Sequence, residues 1–384
     1  MPGKTPEIPG VKAERSLAEE FRREVANLLG RSQLTFPGAQ PVSFARRHIQ
    51  DELLQRDYYV CEKSDGIRCL LFCTSDGPGN EIHYLIDRKN DYYYVQNLHF
   101  PLPEDRVEFH ERTLFDGELV MDKTQNGGYQ LKYLVFDCML YRGDSLMQRP
   151  LDKRLAYFKE YVLKPYHKLY REFPDEIQFL PFIIEDKKVH FSYGIEDMFR
   201  LVLPNLPHGN DGLIFTCRET AYKFGTDEHI LKWKPQNENS IDFLLSLEFP
   251  EIQPDSEDEA NGITEPYSDY TAMPNFGLYV MHEKNDFRRY SEMFMEDAEW
   301  EAMKAKNEPL DEAIVECYMD NKNRWRFLRI RTDKDFPNFI STVQSVIESI
   351  QDKVSEGELV HASRDIRASW KQRQTKREQS QRKQ

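Results

Sequence analysis

The sequence predicts a two-domain α/β (α+β) protein: antiparallel sheets with covering helices as far as about Pro235, then a smaller β-rich unit. Three observations carry this reading. The chain has 384 residues, too many for one ordinary domain and enough for two with their own cores. It is 39% hydrophobic and holds 24 Phe and 20 Tyr, which supports packed globular structure over wholesale disorder. Short aromatic and β-branched runs, bounded by Gly, Asp and Asn, recur through both parts, while helical periodicity is confined to a few stretches.

In chain order, SLAEEFRREVANLLG (16–30) is the first helix. Leu17, Phe21, Val25 and Leu28 share one face, Ser16 and Glu19 form a capping box, and Gly30 is a stop. FPGAQPVSF (36–44) is a broken connector, and the run from Phe44 to Leu54 has helical character. YYVCEKSDGIRCLLFC (58–73) reads as strand, tight turn and strand, with Lys63 between two apolar runs. EIHYLIDRKNDYYYV (81–95) reads as a strand with Arg88 at its polar end. FDGELVMD and YQLKYLVFDCMLY flank Asn126-Gly127 as a hairpin. The stretch 150–170 is a helix interrupted near Pro165. NDGLIFTC (210–217) and YKFGTDEHILKWKP (222–235) are strands, the latter placing Lys232 and Lys234 on one face.

A boundary falls just after Pro235, giving a first domain of 1–238, a second of 239–358 and a basic tail of 359–384. IDFLLSLEF, FGLYVMH and the hairpin 313–333, followed by an amphipathic helix over 336–354, suggest a small barrel such as an OB fold. PEIQPDSEDEANGITEP is a solvated acidic loop, and the tail reads as a disordered solubilising segment in preference to a phosphate- or partner-binding arm.

The formal net charge of -14 argues against whole-surface attraction to nucleic acid and leaves room for a local basic groove. The six cysteines make no C-x-x-C pair and read as reduced core residues. No apolar run approaches a membrane span, and MPGKTPEIPGVKAER lacks a signal-peptide core, so the reading is of a soluble intracellular protein.

A K-x-D-G match alone arises by chance in about one chain in ten of this length. Here polar groups recur at strand ends: Lys63, Arg88, Asp116-Gly117-Glu118, Asp211-Gly212, Lys232 and Lys234, and Arg331, Asp333 and Lys334. One candidate nucleophilic amine, a few carboxylates for a divalent ion and several cations for phosphate are what nucleotidyl transfer requires.

EKSDGIR, DGELV, YLVFD, DGLIFT, ILKWKP and WRFLRIRTDK stand in the order of the covalent nucleotidyltransferase superfamily, which the chain resembles over about residues 36–334. FPGAQPVSF and NENSIDF are similar to its mRNA capping guanylyltransferase branch, and the overall pattern to the monofunctional fungal type. The resemblance implies a nucleotidyltransferase domain with a C-terminal OB-fold barrel. It implies transfer of GMP from GTP, through a lysyl-GMP on Lys63, to the 5′-diphosphate end of RNA. Neighbouring Lys232, Lys234 and Arg68 would favour the uncharged amine. Arg68 and Arg88 would contact ribose and phosphate, and Glu118 and Asp211 the sugar and a Mg2+ or Mn2+ ion. Lys232 and Lys234 would clamp the α-phosphate, and Lys187 or Lys188 would lie near the base. Arg331, Asp333 and Lys334 would orient pyrophosphate as the domains close.

The family further implies a nuclear protein recruited to phosphorylated repeats of the RNA polymerase II tail. With no H-C-x5-R signature, the RNA triphosphatase is expected to be a separate polypeptide; elongation factors are further partners to consider, and no membrane is. The rival readings are an ATP-dependent polynucleotide ligase and a non-catalytic transcription scaffold.

Overall fold

A computed structural model describes residues 5–77, 79–235, 238–306, 308–352 and 354–381. The chain forms two compact units: one runs to Lys234 and resumes at Ser355, and the other is Pro235–Val354.

The first unit holds two sheets. Its strands are Val11–Lys12 (β1), Ala39–Ser43 (β2), Tyr58–Ser64 (β3), Ile67–Ser75 (β4), Glu81–Ile86 (β5), Tyr92–Val95 (β6), Thr113–Lys123 (β7), Tyr129–Tyr141 (β8), Asp144–Ser145 (β9), Ile183–Asp186 (β10), His190–Phe191 (β11), Asn210–Cys217 (β12) and Gly225–Trp233 (β13). One sheet runs β1-β6-β5-β4-β7-β8-β10, antiparallel except where β10 lies parallel to β8, and β9 pairs with β8. The other runs β11-β3-β12-β13-β2, with β2 parallel to β13.

β4 explains the unbroken apolar run after Lys63. Cys69, Leu71 and Cys73 enter one core with Phe115, Phe158, Val162 and Tyr166, whereas Leu70 and Phe72 enter another with Ala18, Val25 and Tyr84. A strand covered on both faces has no polar side to alternate with.

The stretch 58–75 is strand, turn and strand as its residues predict, but the turn closes no hairpin. β3 pairs with β11 and β12, and β4 pairs with β5 and β7, so Asp65 and Gly66 carry the chain from one sheet to the other. A Cβ on Gly66 would stand 2.2 Å from the Leu119 carbonyl oxygen, and only glycine permits that approach.

Other elements depart from expectation for local reasons. The first helix is Arg15–Leu28 with Glu14 at its N-cap and no side-chain cap, so Ser16 lies inside it and forms no capping box. Leu17 is exposed, and Ala18, Val25 and Ala26 are the buried residues. The run 81–95 is two strands, because Asn90 takes a positive φ in a turn between β5 and β6. Pro165 does not interrupt its helix: the wider segment Phe158–Leu163 precedes it, and Pro165 enters the first turn of Lys164–Glu172. The β7–β8 hairpin is present, with Gly127 at positive φ.

The second unit contains Ser240–Glu248 (β14), Glu251–Ile252 (β15), Tyr267–Ser268 (β16), Asn275–Glu283 (β17), Asp286–Met293 (β18), Ile314–Met319 (β19) and Trp325–Ile330 (β20). β14-β17-β18-β20-β19 close into a barrel of the OB type, and β15 pairs with β16 beside it. Its core gathers Ile241, Phe243, Leu278, Val315 and Trp325 against Val343, Val346 and Ile350 of the helix Ile340–Asp352. All six cysteines are buried and free, and among the described residues no helix is long and apolar enough to cross a membrane.

The basic stretch read as a tail is the helix Glu356–Gln381, and it belongs to the first unit. Trp370 packs its ring 5.0 Å from Phe191 and 5.4 Å from Tyr193, and Phe191 stacks on Tyr59 of β3. Arg373 Nε donates to Asp57 Oδ1 at 2.8 Å and Arg377 donates to Asp57 Oδ2, one residue before β3. Asp57 is buried, and these two guanidiniums are its ion partners.

Changing Arg373 and Arg377 together to alanine is expected to cost about 3 kcal/mol, because a buried carboxylate is left uncompensated. Lys371→Ala, on an exposed position of the same helix, should stay within about 0.5 kcal/mol. Urea unfolding of the full chain measures both, and equal costs would contradict the assignment.

Candidate active site

Lys63 is the penultimate residue of β3 and lies at the crossing between the sheets. Its Nζ is 2.6 Å from Asp211 Oδ1, and Lys234 Nζ is 2.7 Å from Asp211 Oδ2, so one carboxylate holds two ammonium groups. Asp211 reaches this position through an irregularity: the β12–β3 register shifts between Asn210 and Leu213, and such bulges re-aim side chains. Gly212 allows it, with φ +139° and a would-be Cβ 2.0 Å from the Trp233 carbonyl oxygen. Burial alone would raise the Asp211 carboxyl; Lys63 and Lys234 hold it below the usual carboxylate range. The Lys63 side chain keeps 25% of its exposure, which leaves it accessible to a ligand. Lys63 is thus bound directly to a carboxylate, and the expected neighbouring cation Lys234 stands on the other oxygen of that carboxylate.

Lys232 lies two residues before Lys234, in register with Ile214 of β12, and both are half-buried while Leu231 and Trp233 are buried. The same-face reading therefore holds. Arg88 is exposed in the turn between β5 and β6.

Arg68 is less available than a ligand contact would be. Its Nε and Nη2 donate to Asp116 at 3.0 and 2.6 Å, and it also donates to the Ala39 carbonyl. Tyr222 Oη donates to the same Asp116 at 2.6 Å. Burial would lower the Arg68 guanidinium, but Asp116 raises it. Arg68 thus pairs with the aspartate of DGELV, while Glu118 of that motif accepts from Lys187 at 3.4 Å.

The adjacent lysines separate cleanly. Lys187 is buried, donates to Ser64 Oγ at 2.6 Å and sits 3.5 Å from Glu62. Burial would lower its ammonium; Glu62 and Glu118 push it up. Lys188 points outward, exposed and paired with Asp186 at 2.7 Å, so it is not brought to the site.

In the second unit, Arg331, Asp333 and Lys334 gather around Asp242. Arg331 donates to Asp242 at 2.9 Å and to Asp333 at 2.8 and 2.7 Å, and Lys334 donates to Asp242. Burial would lower the Arg331 guanidinium, but Asp333 and Asp242 raise it, and its hydrogen bonds draw Asp333 down. Asp242 belongs to NENSIDF, whose Asn237 lies outside the described residues.

The sequence reading did not single out Glu62, Ser64 and Asp116 as the partner of Arg68 in the first unit, or Asp242 in the second. The period-2 flanks of Lys63 could have revealed the first two. Nothing in the sequence singles out His208, described below.

For a divalent ion the donors are hard carboxylate oxygens. Among the described residues no cluster of three or more His, Cys, Asp or Glu side chains is arranged for a metal. A divalent ion arriving with phosphates would need only one or two protein carboxylates, and Asp211 and Glu118 are the candidates.

A family model described as "mRNA capping enzyme, catalytic domain" matches residues 4–236, and one described as "mRNA capping enzyme, C-terminal domain" matches 238–360. The chain is similar to proteins named "mRNA-capping enzyme subunit alpha". That of Neurospora crassa is 49% identical, covering 99% of this chain and 97% of the relative. That of Schizosaccharomyces pombe is 46% identical, covering 94% and 88%, and that of Yarrowia lipolytica 44%, covering 97% and 93%.

The two lysines of EDKKV offer a direct check. Lys187→Met should cost about 3 kcal/mol, since it strips the buried Glu62 of a cation, whereas Lys188→Met should remain within about 0.5 kcal/mol. Denaturant midpoints compare them, and similar losses would show that the burial difference is not felt.

Proposed function

The chain belongs to the mRNA capping enzyme family and is a guanylyltransferase of it, and on that premise we propose that Lys63 is the residue that carries the transferred nucleotide. The observation that supports this is the Lys63–Asp211–Lys234 arrangement, in which the one accessible amine of the EKSDGIR motif is held at fixed position beside a second cation.

The chemistry proceeds in two steps. The Lys63 amine, having released a proton, attacks the α-phosphorus of GTP; a P–N bond forms, the bond to the β-phosphate oxygen breaks, and pyrophosphate leaves with the electron pair. A terminal oxygen of the RNA 5′-diphosphate then attacks the same phosphorus, the P–N bond breaks, and the amine recovers a proton as the capped end departs. Lys234, beside Lys63 on Asp211, and Lys232 on the same strand face are assigned to neutralising the developing charge on the α-phosphate. Asp211 orients Lys63 and Lys234; as a carboxylate drawn below its usual range it is a weak proton acceptor. Mg2+ or Mn2+ held by Asp211 and Glu118 would supply further positive charge at the phosphates.

Arg331, Asp333 and Lys334 are assigned to the pyrophosphate, on the strength of their clustering around Asp242. Of the two lysines weighed for the base, the buried Lys187 is preferred. The same reading includes action in the nucleus, recruitment to phosphorylated RNA polymerase II repeats and a separate triphosphatase; its support is family membership alone.

Incubation with magnesium and α-labelled GTP, followed by denaturation, is expected to leave label on the protein, and Lys63→Ala should abolish it. Label from ATP in preference to GTP, or label that survives Lys63→Ala, would overturn the assignment. Asp211→Asn should lower the single-turnover labelling rate by about tenfold or more through loss of orientation.

A further inference from the structure

The reaction uses one face of the end of β3, and the opposite face carries a buried ionic network of which the chemistry above uses only Lys187 and Glu118. Glu62 and Ser64, on either side of Lys63, both face it, and both are buried. Lys187 joins Ser64, Glu62 and Glu118. Asp122 of β7 accepts from Lys132 of β8 at 3.0 Å, and Lys132 reaches Glu185 of β10 at 3.1 Å.

His208 joins the two halves of this network. Its Nδ1 is 2.7 Å from Asp122 Oδ1, in the first sheet, and its Nε2 is 3.5 Å from Glu62 Oε1, in the second. The loop that carries it is bonded the same way on both sides: the Pro207 carbonyl accepts from Lys123 N of β7, and the Gly209 carbonyl accepts from Asp65 N in the turn after Lys63, each at 2.9 Å. Nδ1 is at hydrogen-bond distance from Asp122, whereas the buried Nε2 makes no hydrogen bond among the described residues and faces Glu62 as a charge contact; protons on both ring nitrogens would direct one toward each carboxylate. The side chain is 7% exposed, and burial would disfavour that charge, yet Asp122 and Glu62 raise His208 to about 9. Glu62 in turn is raised by burial and drawn down, on balance, by Lys187 and His208.

We propose that His208 is a positioning residue for Lys63, an imidazolium clamp that fixes the end of β3 to β7 and so sets where the attacking amine stands. This rests on the assignment of Lys63 as the nucleophile. His208 touches neither the reacting atoms nor Asp211; it acts through Glu62 and the backbone of the catalytic turn. The groups facing it are Asp122 and, beyond it, Lys132 and Glu185 on the first sheet, and Glu62 with its partner Lys187 at the second.

The test is single-turnover formation of the labelled enzyme by the full chain, for wild type and His208→Gln, across GTP concentration and pH. At pH 7 the rate at saturating GTP should fall about tenfold or more, as misplacement of a reacting group predicts, while the GTP half-saturation changes by less than about threefold. The wild-type advantage should shrink toward unity as pH rises past about 9, since the clamp is charged below its raised pKa and lost above it. Asp122→Asn, which leaves the imidazole in place and weakens one partner, should show a smaller deficit with the same pH trend. His110→Ala, at a buried histidine bonded to the Tyr161 carbonyl, should lower thermal stability without changing the saturating rate. A variant rate equal to wild type, or a deficit identical at every pH, overturns the proposal. Failure of wild type to label with GTP, or label retained in Lys63→Ala, instead overturns the nucleophile assignment.

Discussion

Everything at the site depends on one carboxylate, Asp211, that binds two lysines at once. Two half-buried ammonium groups with no anion between them would repel, and β3 and the end of β13 would have no reason to present them to the same point. Asp211 supplies that reason, and it can do so because the strand carrying it is irregular. A regular β12 would alternate its side chains on the β3 register; the shift between Asn210 and Leu213 breaks that alternation, and Gly212 takes the backbone conformation and the close approach that the shift requires. Local strand order is given up to place one charge.

The second constraint is the path of the chain. β3 and β4 belong to different sheets, so Lys63 sits where the backbone leaves one layer for the other. A crossing of this kind has few ladder hydrogen bonds of its own. Its substitute is the buried set of Glu62, Ser64, Lys187, Glu118, His208 and Asp122, which spans both sheets. Buried ion pairs contribute little net stability compared with apolar packing of the same volume, but they are demanding about geometry. Such a network suits a place where position matters more than stability. Arg68 and Asp116 do the same a few residues further on, with Tyr222 and the Ala39 backbone completing the shell.

Much of this was legible in the residues. Strand runs, the Asn126-Gly127 hairpin, the boundary region near Pro235 and the order of the motifs can all be read without coordinates, because periodicity and turn chemistry are local properties. The polar strand β18, DFRRYSEM, could not be read: its outward residues are charged and its partners, β17 and β20, are what make it a strand. The helix Glu356–Gln381 was hidden for a similar reason. Its composition is that of a solvated tail, and the charges that composition counts as solubilising, Arg373 and Arg377, are spent on Asp57, more than 300 positions away in sequence. At the site, residue types singled out Lys63, Lys232 and Lys234, whereas the pairing was hidden. The sequence offered cations as neighbours for Lys63 and could not tell Lys187 from Lys188; only the packing of β10 against β8 turns one inward and the other out.

The chain path also bears on how the two ends of the first unit are held. The first unit ends at Lys234 and resumes at Ser355, so the barrel unit is an insertion joined to it at two points. At the far junction the chain enters a helix that is anchored on Asp57, one residue ahead of β3. At the near junction the last residue is Lys234, itself held by Asp211 and followed directly by Pro235, whose fixed φ limits how the backbone can yield there. Both connections therefore return to the strands that place Lys63. The last residue of the first unit before the insertion is thus also one of the two lysines bound to Asp211, so the end of β13 is fixed on both sides of Trp233 by the same strand pairing and ion pair that place Lys63.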